Sequence, residues 1–76
     1  MTITLEPTEK IVKFNDVPSR IWEGTTLDGI PVICFITRIA VALDQPREVH
    51  ERFAVELREQ RTPSAEAESF PLRMIL

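Results

Sequence analysis

Apolar and polar residues alternate through Thr2–Glu6, are interrupted by Pro7 and the polar Thr8-Glu9-Lys10, and resume in Ile11–Phe14. Period-two alternation marks a half-buried strand, so the pattern predicts a first strand with Ile11–Phe14 as its firm part and residues 2–9 as a looser start. Asn15-Asp16 follows, a pair that tolerates positive φ and suits a two-residue hairpin turn. The stretch VPSRIWEGT then runs back as a second strand, with Pro18 near its start, where a missing N–H costs least. Asp28-Gly29 marks the next turn, and IPVICFITRIAVAL reads as a third strand. Its β-branched residues favour the extended pleat, and Pro31 would interrupt a helix. Apolar side chains occupy both parities of this run, so both of its faces need cover.

The periodicity then changes. Val49, Phe53 and Leu57 recur every four residues with Ala54 beside them, behind Asp44 as N-cap and Pro46 in a first turn. This predicts a long helix from Gln45 to Arg61, whose outer side pairs Arg47 with Glu51, Glu48 with Arg52 and Arg52 with Glu56, each worth ~0.3 kcal/mol. TPSAEAES is a polar connection over residues 62–69 with room for a helical turn begun by Thr62 and Pro63, and FPLRMIL reads as a short last strand ending at Leu76. The expected class is α+β: a three-stranded antiparallel meander, one long helix on one sheet face and a C-terminal fourth strand (β-β-β-α-β), in a single small domain over residues 1–76. After a helical crossover the last strand lies parallel to the third and, in a meander, to the first. Docking beside the first strand is favoured, because Pro31 cannot donate on the outer side of the third.

The hairpin register decides which residues share a face. With a three-residue turn and Gly29 in the left-handed region, Thr26 pairs with Ile30 and Trp22 falls opposite Cys34. Arg20, Trp22, Gly24, Val32, Cys34, Ile36 and Arg38 then share one side, and Ile21, Ile33, Phe35, Ile39 and Val41 the other. A two-residue Asp28-Gly29 turn would instead set Trp22 opposite Phe35. The first register is preferred, since it gives the helix an aliphatic face centred on Phe35 and leaves Trp22 framed by two arginines. The expected helix-on-sheet core is Ile33, Phe35, Val41, Phe53 and Leu57.

Size sharpens this picture. A chain of 76 residues buries only about 60% of its unfolded surface, so it needs a staple. Cys34 alone makes no intrachain disulfide, and Cys34 with His50 makes no closed zinc site, which leaves oligomerisation. A lone cysteine in an apolar run fits a reducing compartment, and no stretch resembles a signal peptide or a membrane span, so a cytoplasmic location is expected. The net charge of −3, scattered without runs, argues against nucleic-acid polymers as partners.

Catalytic chemistry is poorly supplied. Gly24 and Gly29 punctuate a hairpin rather than open a helix, which a phosphate loop requires. Cys34 reads as a buried small hydrophobe, His50 as a helical histidine without an acidic or serine partner, and the helix carboxylates as solvated charge. The composition therefore points away from an enzyme, with no cofactor and no metal implied. Two binding readings remain. In the first, an interaction or inhibitor-type protein forms a homo-oligomer, or covers a protein partner, through Arg20, Trp22, Val32, Cys34, Ile36 and Arg38, an aromatic anchor rimmed by arginines. In the second, Trp22 stacks on a nucleotide-like anion held by Arg20 and Arg38.

Overall fold

A computed structural model describes residues 1–75, Met74 by its backbone alone. Three strands, β1 (Ile3–Phe14), β2 (Val17–Thr26) and β3 (Pro31–Ile36), form an antiparallel sheet in the order β1-β2-β3. Asn15 and Asp16 both take positive φ, 51° and 65°, the signature of the tight turn that sets Phe14 opposite Val17. At the second turn Gly29 has φ 83°, its N–H donates to the Thr26 carbonyl at 3.0 Å, and the Thr26 N–H donates to the Ile30 carbonyl at 3.0 Å. That three-residue turn places Trp22 opposite Cys34 and Ile21 opposite Phe35, the register preferred from sequence.

The same hydrogen bond fixes the phase of the ladder. Bonded and non-bonded pairs alternate in an antiparallel sheet, so with Thr26 bonded to Ile30 the even-numbered residues of β2 bond towards β3. The odd-numbered ones bond towards β1. Pro7, opposite Trp22, and Pro31, opposite Thr25, therefore point their nitrogens away from β2, where no N–H is needed. Pro18 would stand at the next bonded position beyond the Arg20–Ile36 pair. It has no proton to give, and β3 ends at Ile36 instead of running on to Leu43.

β1 is one continuous strand, not a loose start followed by a firm end. Between its pairs Pro7–Trp22 and Ile11–Arg20 it inserts Thr8, Glu9 and Lys10 against Ile21 alone. Fully buried Thr8 repairs the break: its hydroxyl donates to the Ile21 carbonyl at 2.7 Å, replacing a ladder bond. On the outer side of this bulge Arg61 forms a parallel bridge with Thr8, donating to the Pro7 carbonyl at 3.3 Å and accepting from the Glu9 N–H at 2.9 Å.

That bridge helps explain why the expected long helix is absent. Helix α1 covers Arg47–Glu56 only, starts after Pro46 with no side-chain cap, and holds no buried residue. Its end tightens into i→i−3 bonds at Arg58 and Glu59, and the Gln60 amide caps the Leu57 carbonyl. Arg61 has to be extended to serve the β1 bulge, so the helix unwinds before it reaches residue 61. Among the described residues the expected fourth strand is also missing. Ser64 caps a single turn, α2 (Ala65–Glu68), Pro71 follows Phe70, and Leu72–Met74 form a 3₁₀ turn; Leu76 lies outside the described residues. The parallel partner beside β1 is Arg61, not FPLRMIL.

The face assignment reverses as well. Leu57 borders a depression with Trp22 and Ile36, so the end of α1 meets the Trp22 face. The Phe35 face is covered by the C-terminal segment, with Phe35 tilted 6.3 Å from both Phe14 and Phe70. Of the expected core of Ile33, Phe35, Val41, Phe53 and Leu57, Ile33 and Phe35 thus line one face and Leu57 borders the other, and among the described residues the buried apolar ones are Ile21 and Ala67.

Little is enclosed. The accessible surface is 6154 Å², whereas a compact 8.7 kDa monomer exposes about 4,700 Å². The radius of gyration, 13.7 Å, exceeds the roughly 11 Å of a compact chain of this length.

Candidate functional site

Of the six residues singled out from sequence, Arg20, Trp22, Val32, Cys34 and Ile36 share one sheet face through the β2–β3 register. Arg38 lies beyond the end of β3 and joins Arg20, Trp22, Ile36 and Leu57 around a depression of about 100 Å³. Cavities that bury a small organic ligand measure about 300–1,000 Å³. Trp22 and Cys34 are half-buried rather than enclosed. Arg20 is already engaged, its Nη1 donating to the Thr8 carbonyl at 2.8 Å and so closing the β1 bulge from the Trp22 side.

The larger concavity lies on the opposite face. A groove of about 950 Å³ runs between the sheet and the C-terminal segment, walled by Phe14, Ile33, Phe35, Phe70 and Ile75. Its polar end is Glu23, an 8%-exposed acid that accepts from the Ser64 N–H at 3.0 Å, from the Ser64 hydroxyl, and from Arg61 Nη1 at 3.2 Å. Burial pushes the Glu23 carboxyl up, but the Ser64 hydroxyl, the Ser64 N–H and the Arg61 charge together outweigh it and hold the group below its ordinary value. Ser64 also accepts from the Ala67 N–H, so one residue joins the start of α2 to the sheet. Lys10 pairs with Glu68 at 2.8 Å on the outside of the same segment.

Glu23 is the residue that sequence reasoning missed. Its signal was parity: in the preferred register it falls on the side of Ile21, Ile33 and Phe35, and an acid on an apolar face requires donors. Gly24 was also misread as turn punctuation. A Cβ there would lie 1.6 Å from the Thr4 carbonyl oxygen and 2.9 Å from Leu5 Cα, so Gly24 is what lets β1 approach β2 at that pair.

Among the described residues no three His, Cys, Asp or Glu side chains gather as a metal site, and no helix is long and apolar enough to cross a membrane. In comparison with known proteins, no family model, no curated protein and no solved structure matches the chain.

Proposed function

We propose that the chain is a non-enzymatic interaction protein whose working state is an assembly, with a second copy or with a protein partner. The observation that carries this reading is the exposed surface. It exceeds that of a compact monomer of the same mass by roughly 1,400 Å², more than the ~800 Å² that each partner contributes to a standard interface. Ile11, Ile30, Ile39 and Leu43 are among the large apolar side chains left exposed. Several chemistries could use a surface of this kind, but protein association is the one that covers surface of this extent, exposed apolar side chains included.

The nucleotide-like ligand finds less support. The depression between Trp22 and Arg38 is small, and Arg20 is committed to Thr8. Light scattering and calorimetric titration of the same samples separate the two readings. Wild-type protein should associate in the micromolar range and give no saturable heat with mononucleotides, and Arg38→Ala should leave association unchanged. Saturable nucleotide binding that Arg38→Ala abolishes, with light scattering unchanged, would overturn the proposal.

A further inference from the structure

We infer that the outer edge of β3 is the docking edge of the molecule, and that its occupant is β3 of a second copy, paired antiparallel about a two-fold axis at Cys34. This deepens the interaction reading above and rests on it.

The ladder phase supplies the first argument. Val32, Cys34 and Ile36 direct their backbone groups towards β2, and Pro31, Ile33 and Phe35 direct theirs outward. Among the described residues no backbone hydrogen bond reaches the N–H or C=O of Ile33 or Phe35. On the opposite edge Arg61 takes up the Pro7 carbonyl and the Glu9 N–H, and Pro7, Lys13 and the bulge break up the remainder, where Ile3, Leu5, Ile11 and Lys13 face outward. Sheet edges that stay solvated carry lysines, bulges or very short strands. β3 is PVICFI, six uncharged residues without a bulge, and only Pro31 blunts one end.

Register admits a second copy in one way. A symmetric pairing centred on Ile33 would face the Phe35 carbonyl with the partner's Pro31, which has no N–H. One centred on Phe35 would match Ile33 with the partner's Thr37, which has left the strand. Centring on Cys34 sets Ile33 opposite the partner's Phe35 and satisfies the outward N–H and C=O of both residues in both copies. Paired side chains fall on the same side of a sheet. Ile33 and Phe35 of both copies would therefore meet on the groove side, extending the row of Phe14, Phe35 and Phe70 across the β3 border of the groove. One strand edge thus accounts for the free backbone groups and the uncharged strand together.

Cys34 serves as the reporter. In this register the two Cys34 residues form a non-hydrogen-bonded pair with Cα atoms ~4.5 Å apart, inside the ~4.4–6.8 Å range of disulfides. Mild copper-catalysed air oxidation, which removes two protons and two electrons from the thiol pair, should convert wild-type protein to a covalent dimer within minutes. Val32→Cys in a Cys34→Ser background places its thiols ~13 Å apart along the strands and should cross-link at least tenfold more slowly. Ile33→Pro removes an outward N–H that the chain itself does not use, and should weaken association at least tenfold while far-ultraviolet circular dichroism stays unchanged. Assembly in which Cys34 does not cross-link, or in which a folded Ile33→Pro variant associates like wild type, would overturn this inference and leave the interaction reading standing. If Ile33→Pro does not fold, the cross-linking of wild type against the Val32→Cys variant decides. A chain that stays monomeric at high micromolar concentration and meets no protein partner would overturn both.

Discussion

Glu23 ties the C-terminal segment to the sheet, and its chemistry predicts how that tie fails. Its carboxylate is held below the ordinary glutamate value of 4.5 by Ser64 and Arg61. A group whose folded pKa is depressed contributes stability that is present above its unfolded pKa and is lost as pH falls through the folded one. Acid should therefore loosen the segment below about pH 4.5, and Glu23→Gln should flatten that limb of the stability curve and lower stability at neutral pH. Urea unfolding between pH 3 and 7, followed by Trp22 emission and circular dichroism, checks both. Superimposable curves for Glu23→Gln and wild type would show that the carboxylate does not hold the segment. This residue was legible only in part. Parity marks Glu23 as an acid on an apolar face, but Ser64 and Arg61 lie far along the chain, and no local spacing connects them to it.

At the scale of elements, the hairpins were readable because their causes are local. Asn15-Asp16 and Gly29 supply the positive φ that the two turns require, and the register that opposes Trp22 to Cys34 follows from the turn length. The length of the helix and the fate of the last segment were not readable, because tertiary demands override their periodicity. The β1 bulge draws Arg61 into extended backbone, and Pro18 ends the β3 ladder at a place set by hydrogen-bond phase. The helix stripe of Val49, Phe53 and Leu57 is present, but it is only half-buried, and its end meets the Trp22 face. Gly24 yields a prediction at this scale. Gly24→Ala cannot be accommodated beside the Thr4 carbonyl without separating β1 from β2, so it should cost several kcal/mol, at or beyond the ~1–3 kcal/mol usual for overpacking. Thermal melting that matches wild type to within a degree would contradict the close approach of these strands.

The whole molecule is an open sheet, with a short helix reaching one face, a capped segment on the other, a β1 edge bridged only at its bulge and, among the described residues, a β3 edge without backbone partners. From sequence, the lack of a disulfide or metal staple suggests an assembly through the face of Trp22; we place the contact at the β3 edge, because the ladder phase marks its outward amides, which no sequence spacing reveals. Residue-resolved amide hydrogen exchange by nuclear magnetic resonance reads that phase directly. In a dilute monomer Cys34 and Ile36 should be protected while Ile33 and Phe35 exchange freely, and at assembling concentration Ile33 and Phe35 should slow to the rate of Cys34. Ile33 and Phe35 amides that exchange freely at every concentration, while the protein sediments as an assembly, would contradict the account.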